Sequence, residues 1–395
     1  MGKAAVVTVH FVYNKGAALK TPDTILFELS RHLARHFHLK TYSIGERGTI
    51  TPAPGDILLG HPLRYTRDSI FNRSFEQEGW TKRIIFCPFS HAMPRDAAAI
   101  DPLVEKADHY LALCGPYWFD TMEDSLLSHW RYKTMRCDLG INRTAYPLTK
   151  IGFNPPGQRR FLYIGNAGPM KGVDFFCALA EANPNLSFSW IGWQGPGQRP
   201  PGTLRREYGP LEHRLRSGPV VTYGGANWRD QASTDLATSH DFLLTCGRSD
   251  SNPTTILEAT AWGLVPVAPV QCGYYGDDWL LNIPLDDIAG ASAMLNTLNM
   301  APEAELIARR TAGLARLDSH YTWAQAADQV MACISAPAAP APVSAEWRAR
   351  KQTNQKALAD LMHHYRRDQS IEDALHAVID FPRAAAAGVR QALGQ

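Results

Sequence analysis

The segment between residues 241 and 269 constrains the fold more than any other part of the sequence. It reads as a buried strand at 241–245, a polar loop, an apolar helix that should end near Gly263, and a second strand at 264–269. Glycine suits the left-handed residue that closes a helix, and strands joined by a helix lie parallel in one sheet. The loop should therefore lie at the C-terminal edge of a parallel sheet, where α/β proteins place their ligand sites.

The start of this helix has the features of an anion-binding site. Asn252 is expected to cap the helix, and Pro253, Thr254 and Thr255 occupy its first turn. Backbone N–H groups at a helix start have no partner within the helix, and two hydroxyl groups stand beside them here. This combination predicts a site for phosphate.

Two carboxylates flank the predicted phosphate site. Asp250 lies just before the helix, and Glu258, eight residues later, lies about two turns within it. One carboxylate can therefore face a group that precedes the phosphates, and the other a group that follows them. A nucleotide-sugar has this layout, with sugar hydroxyls, a diphosphate and ribose hydroxyls in order. A buried Glu258 would need a partner, because the helix around it is apolar on nearly all sides.

Strands and helices alternate along most of the chain. A first series of predicted strands lies at 4–13, 41–44, 56–60, 84–87 and 110–113, with a helix at 21–37 after the first strand. A second series starts at 161 and continues at 187–191, 220–223, 241–245 and 265–268. This alternation predicts an α/β protein with two Rossmann-like, doubly wound domains facing a central cleft. The predicted domains are 1–150, 151–335 and a tail at 336–395.

Composition narrows the class of ligand. Among 395 residues the net charge is +2, so no basic surface for nucleic acid is expected. The seven cysteines are widely spaced and form no C-x-x-C pair, which indicates buried thiols rather than disulfides or a zinc site. Neither a signal peptide nor a membrane span of ~18 apolar residues is evident. A cytoplasmic protein that binds small molecules is the expectation.

The last sixty residues form a separate segment. A proline- and alanine-rich stretch at 335–343 reads as an extended linker. Apolar residues at Trp347, Leu358, Leu361 and Met362 predict an amphipathic helix, and 371–381 predicts another. These helices are expected to pack on the body of the protein or on a second subunit, and a peripheral membrane contact is the weaker alternative.

Four stretches resemble retaining GT-B glycosyltransferases of the family 4-like group (glycosyl transferases group 1). The carboxylate pair resembles that family's E-x7-E element, with Asp in first place. The stretch 161–172 resembles the strand and donor-phosphate loop that open the second domain, 138–147 resembles the end of the first domain, and 320–323 resembles the start of a late helix. The resemblance extends from about 56 to 334 and is strong in 160–270.

The resemblance implies roles for residues around the predicted cleft. Lys171 would meet the donor diphosphate, Glu258 the ribose, and Asp250 the donor sugar or the positive charge at its anomeric carbon. Asn166 stands where the family usually has an arginine, so the site lacks one cation unless Arg248 substitutes. The other residues expected to bind the donor are Gly16, Ser251, Asn252, Thr254 and Thr255.

His91 occupies about the place of a family histidine that faces the acceptor side of the cleft. It would guide the attacking hydroxyl. His61, at a strand end, matches another recurrent histidine of the family, and a structural role explains it equally well. The implied donor is a UDP- or GDP-sugar, with no cofactor and no metal, and the implied acceptor is a saccharide or glycoconjugate. Such enzymes commonly build bacterial surface polysaccharide or lipopolysaccharide.

Two other classes of protein compete with this interpretation. A non-catalytic protein that binds sugar nucleotides or acts as a scaffold would explain Asn166 and Asp250 in place of the family's residues, and Ala17 in place of a second glycine after Gly16. An NAD-dependent oxidoreductase would require G-x-G-x-x-G after the first strand, and that motif is absent.

Overall fold

The computed structural model describes residues 7–15, 24–63, 68–192, 211–215, 217–228 and 230–364. A first sheet contains six parallel strands in the order β2-β1-β3-β4-β5-β6. These strands are β1 (Thr8–Tyr13), β2 (His38–Ser43), β3 (Ile57–Gly60), β4 (Lys82–Pro88), β5 (His109–Leu113) and β6 (Thr134–Cys137). The helices of this half are α1 (Ile25–Leu33), α2 (Ile70–Phe75), α3 (Pro94–Lys106) and α4 (Pro116–Asp120).

A second parallel sheet has the order β12-β11-β10-β7-β8-β9. Its strands are β7 (Arg160–Ile164), β8 (Ser187–Ile191), β9 (Val221–Tyr223), β10 (Phe242–Leu244), β11 (Val265–Ala268) and β12 (Leu281–Asn282). The helices that follow β7 include α5 (Val173–Ala182), α6 (Gln231–Thr238), α7 (Thr254–Trp262), α8 (Ile288–Asn299), α9 (Glu303–Ser319) and α10 (Trp323–Ser335). Short 3₁₀ turns occupy Met122–Asp124, Ser128–Lys133, Pro169–Lys171 and Val270–Cys272.

Burial of both faces explains why these strands read as continuous apolar runs. Every residue of β3, β5, β10 and β11 is buried, as expected for parallel strands covered by helices on both sides. The predicted two-domain α/β architecture is thus confirmed. Strands β6 and β12 were not predicted, because one is a short run that includes Thr134 and Arg136 and the other has only two residues.

The end of the chain returns to the first sheet. Helix α10, which the sequence assigns to the domain at 151–335, packs against α1 and β6. The Gln329 side chain accepts a 2.8 Å hydrogen bond from the backbone N–H of Asp138, and Lys82 Nζ donates to the carbonyl of Ile334 at 2.5 Å. The sequence did not predict this packing, because helical periodicity does not show which sheet a helix covers.

A helix over 345–364 also packs on the first domain. Leu358 and Met362 are buried, and Trp347 packs edge-on against Tyr132. Asp101, whose carboxylate accepts hydrogen bonds from His129 and Trp130, also accepts one from Gln355 of this helix. The predicted helix at 371–381 lies outside the described residues. Within the described part of the chain, no helix is long and apolar enough to cross a membrane.

The cysteine prediction agrees with the structure. All seven cysteine side chains are buried thiols. Burial raises the pKa of Cys177, Cys272 and Cys333 to about 12 in each case, so these thiols stay protonated and unreactive at neutral pH.

Candidate functional site

A cavity of about 440 Å³ lies between the carboxyl ends of the two sheets. Strand order reverses between β1 and β3 in one sheet and between β7 and β10 in the other, and such switch points are where open α/β sheets bind ligands. The first domain lines the cavity with Ile25, His61, Leu63, Pro88, Met93, Leu113 and Leu139. The second domain lines it with Met170, Lys171, Ser249, Asp250, Ser251 and Asn252.

The structure brings two of the predicted site residues into direct contact. Lys171 Nζ lies 2.5 Å from Asp250 Oδ2, and their side chains are 25% and 15% exposed. Lys171 ends a 3₁₀ turn after β7, and Asp250 follows β10, the neighbouring strand. An anion entering the cavity at Lys171 would therefore share its ammonium group with this carboxylate.

The predicted capping role of Asn252 is wrong. Helix α7 begins at Thr254, Pro253 occupies the cap position with extended backbone, and the cap makes no side-chain hydrogen bond. The side-chain oxygen of Asn252 instead accepts a hydrogen bond from the hydroxyl of Tyr274. Asn252 is buried, and its Nδ2 has no hydrogen-bond partner among the described residues. A buried amide nitrogen without a partner is costly, and this one belongs to a residue that lines the cavity.

The start of α7 lies beside this wall of the cavity. Ser251 lines the cavity, and Thr254 and Thr255 are half-buried in the first turn of the helix. Their N–H groups precede the first intrahelical hydrogen bonds and carry the positive end of the helix dipole. The helix ends at Gly263, whose φ of 100° is left-handed, as the sequence predicts.

Glu258 is not among the residues that line the cavity in the described structure. It is 3% exposed within α7, and the hydroxyl of Tyr146 lies 3.4 Å from its Oε1 as a hydrogen-bond donor. Tyr146 itself is fully buried against Trp262. Glu258 therefore has a protein partner, as its burial requires, and its predicted contact with ribose stays a prediction.

His91 lies two residues before Met93, which lines the cavity. Its Nε2 is 2.8 Å from the hydroxyl of Thr121, and its ring packs edge-on against Trp118. Burial lowers the pKa of His91 below its ordinary value of 6.5, which favours a neutral imidazole at neutral pH. The described lining of the cavity does not include His91, so its predicted acceptor contact also stays a prediction.

Arg248 does not replace the cation that the family has at Asn166. Its guanidinium makes hydrogen bonds of 2.6 and 3.0 Å to Asp174 and of 3.1 and 2.6 Å to Asp286. These hydrogen bonds raise its pKa further, and two carboxylates already neutralise it. The Asn166 side chain accepts from the backbone N–H of Gly168 and so shapes the loop before Lys171. Gly16 lies outside the described residues.

The two domains touch at one side of the cavity through hydrogen bonds to backbone carbonyls of the second domain. Gly115 N–H donates to the carbonyl of Ser251 at 2.9 Å, and the Trp118 indole donates to the carbonyl of Asp250 at 3.1 Å. Tyr117 N–H donates to the carbonyl of Gly273 at 3.2 Å. A Cβ atom at Gly115 would lie 2.1 Å from that carbonyl oxygen. Only glycine permits this approach of the two loops.

Three residues of the site were not predicted as such. His61 lines the cavity, Tyr274 orients Asn252, and Trp118 holds the Asp250 loop. Only His61 carries a signal in the sequence, because it directly follows a predicted strand. Tyr274 and Trp118 reach the site through pairings that are distant in sequence.

The chain matches no protein-family model and no curated protein, but it is similar to solved structures of glycosyltransferases. The E. coli trehalose-6-phosphate synthase bound with UDP-2-fluoro glucose has a TM-score of 0.61 and 12% identity, over 84% of this chain and 100% of that one. Sucrose-phosphate synthase from Thermosynechococcus elongatus has a TM-score of 0.58 and 13% identity, over 82% and 97%. This chain has the GT-B fold. A glycosyltransferase from Rickettsia africae is also similar, with a TM-score of 0.57 and 10% identity over 83% and 97%. At these identities the similarity concerns the GT-B fold alone.

Proposed function

We propose that this GT-B protein transfers a glycosyl group from an NDP-sugar to an acceptor hydroxyl, with retention at the anomeric carbon. The observation that carries the proposal is the second-domain wall of the cavity. There Lys171, Asp250 and the buried amide of Asn252 converge beside the start of α7. A cation, a carboxylate, an amide donor and a helix N-terminus together suit a sugar linked to a diphosphate.

The mechanism assigns a role to each of these groups. The bond between the anomeric carbon and the diphosphate oxygen breaks, and Lys171 and the N–H groups of Thr254 and Thr255 stabilise the charge that grows on the diphosphate. The acceptor oxygen forms its bond from the same face, and its proton goes to the departing phosphate oxygen. Asp250 stabilises positive charge at the anomeric carbon. His91 orients the acceptor, Glu258 binds the ribose, and Gly16, Asn166 and Ser251 complete the donor site.

Lys171 and the helix N-terminus supply the positive charge that the diphosphate needs, so the proposed reaction uses no metal. Retention rests on the resemblance of 161–172 and 250–258 to the retaining family, and it is consistent with the fold. We place the reaction in the cytoplasm, in bacterial surface polysaccharide or lipopolysaccharide synthesis, from the class of enzyme alone. A contact of the tail with a membrane or a second subunit is part of the same proposal.

A second candidate function is a non-catalytic protein that binds a sugar nucleotide. Two observations favour it. Arg248 is neutralised by Asp174 and Asp286, so the site has one cation fewer than the family's. Glu258 is engaged by Tyr146. In this alternative a donor binds and no sugar moves.

Calorimetric titration with UDP-, GDP- and ADP-sugars, followed by NMR of the product from the donor that binds best, tests both candidates. Transfer with an unchanged anomeric configuration supports the first proposal, and an inverted product contradicts retention. Binding without transfer or hydrolysis across a broad acceptor panel favours the second candidate. Lack of binding by every donor contradicts both.

A further inference from the structure

The two walls of the cavity differ in chemistry. The second domain contributes a lysine, an aspartate, two serines and an asparagine, together with Met170. The first domain contributes only one polar side chain, that of His61. Its other six lining residues, which we call the apolar wall, are Ile25, Leu63, Pro88, Met93, Leu113 and Leu139.

Several side chains of the apolar wall are only half-buried. Leu113 and Leu139 belong to the core of the first domain, whereas Ile25, Leu63 and Met93 keep part of their surface exposed. Apolar surface held open to water inside a cavity is unfavourable, by roughly 25 cal/mol per Å². Cavities of this size and composition are typical sites for small ligands. The apolar wall is therefore best explained by a ligand that covers it.

The kind of side chain narrows the kind of ligand. None of the thirteen residues that line the cavity in the described structure is Phe, Tyr or Trp. Polar saccharides commonly stack their C–H faces on aromatic rings, and this wall offers none. Methionine adapts its shape to flexible apolar groups, and the remaining side chains are aliphatic or proline. An aliphatic group fits such a wall better than a free sugar does.

We propose that the acceptor is an amphiphile, in which an aliphatic group next to the accepting hydroxyl packs on the apolar wall. This inference rests on the proposed transfer reaction and deepens it by naming the substrate class. The donor uses the polar second-domain wall, and the acceptor enters along the first-domain wall.

The test uses n-octyl β-D-glucopyranoside below its critical micelle concentration, with methyl β-D-glucopyranoside and maltotriose as polar probes. Their affinities are measured by calorimetry for the wild type, for Met93→Gln and for Met300→Gln. Met300 is a matched control, because it is an exposed methionine on the surface at the end of α8. UDP is titrated into each variant as a separate measurement of the donor wall.

The octyl glucoside should bind at least about tenfold more tightly than the methyl glucoside, because several methylene groups leave water. Met93→Gln should lose about fivefold of the octyl affinity and keep its UDP affinity, while Met300→Gln changes neither. Equal affinities for the two glucosides, tighter binding of maltotriose, or equal effects of the two substitutions would overturn the inference. Octyl binding without UDP binding would support the apolar site and contradict the donor proposal. UDP binding without a preference for the octyl chain would support the donor proposal and contradict the apolar site.

Discussion

The contact between Lys171 and Asp250 leads to a prediction in which two substitutions act in opposite directions on the same ligand. Lys171→Met removes the cation that we assign to the diphosphate. Asp250→Asn removes the carboxylate that competes for that cation at 2.5 Å. If both assignments hold, UDP should bind more weakly to the first variant and more tightly to the second.

The magnitudes follow from the geometry. A charge-assisted hydrogen bond contributes about 1.5–3 kcal/mol, so Lys171→Met should weaken UDP binding by roughly 10- to 150-fold. Removing a competing charge at a partly exposed position should strengthen UDP binding by about 1 kcal/mol, or roughly fivefold. Sugar transfer should fall in both variants, because Asp250→Asn also removes the charge beside the anomeric carbon.

The same pair contributes to folding. The side chains are 25% and 15% exposed. This exposure lies between that of exposed ion pairs, which contribute about 0–1 kcal/mol to stability, and that of buried pairs, where removal of one partner costs about 3–5 kcal/mol. Each single substitution should lower the free energy of unfolding by about 2 kcal/mol. The double variant should lose less than the sum, because neither charge is then left without its partner.

Lys351→Met is the matched control. Lys351 is also 25% exposed and also pairs with a carboxylate, that of Glu105, on the first domain. Calorimetry with UDP and chemical denaturation of all four variants provide the two measurements. The reasoning is refuted if Asp250→Asn weakens UDP binding as strongly as Lys171→Met does, or if Lys351→Met has the same effect on UDP as Lys171→Met.

Three further predictions concern other parts of the structure. Gly115→Ala should separate the two loops at the cleft, because its Cβ would lie 2.1 Å from the carbonyl oxygen of Gly273; small-angle scattering should show a larger radius of gyration, and an unchanged radius would contradict this. Tyr274→Phe should destabilise the fold by about 1–3 kcal/mol and weaken UDP-sugar binding, because the oxygen of buried Asn252 loses its donor; denaturation and calorimetry measure the two effects. Burial lowers the pKa of His240 below 6.5. As the pH falls, the unfolded state therefore takes up the proton first, and stability that is present above about pH 6.5 is lost below it. The free energy of unfolding of His240→Asn should fall less than that of the wild type between pH 7.5 and 5.5.

The sequence predicted most of the framework because burial on both faces leaves a clear pattern. Strands β3, β5 and β8 lie within one residue of their predicted ranges. The segment at 241–269 also folds as predicted, with the helix ending at Gly263. The pairing of Lys171 with Asp250 was not predicted, and it arises because both residues come after neighbouring parallel strands.

The remaining features depend on contacts that are distant in sequence. Asn252 does not cap the helix, because its side-chain oxygen accepts a hydrogen bond from Tyr274, which lies 22 positions later in the sequence. The position of Arg248 in the sequence suggests a substitute cation, but its guanidinium pairs with Asp174 of α5 and with Asp286 of the loop before α8. Local patterns predict which elements form, whereas these side chains are placed by the way in which the elements pack.

The division between a polar wall and an apolar wall has a consequence for how specificity is distributed in this GT-B protein. Every charged group that lines the cavity in the described structure, Lys171 and Asp250, comes from the second domain. Electrostatic attraction to the proposed diphosphate therefore comes from second-domain side chains. The first domain acts on them only through the hydrogen bonds that the Gly115 N–H and the Trp118 indole donate to the carbonyls of Ser251 and Asp250. Substitutions on the apolar wall should change which acceptor is used while the affinity for UDP stays constant. A change of UDP affinity on substitution of Leu63 or Met93 would show instead that the two walls act as one site.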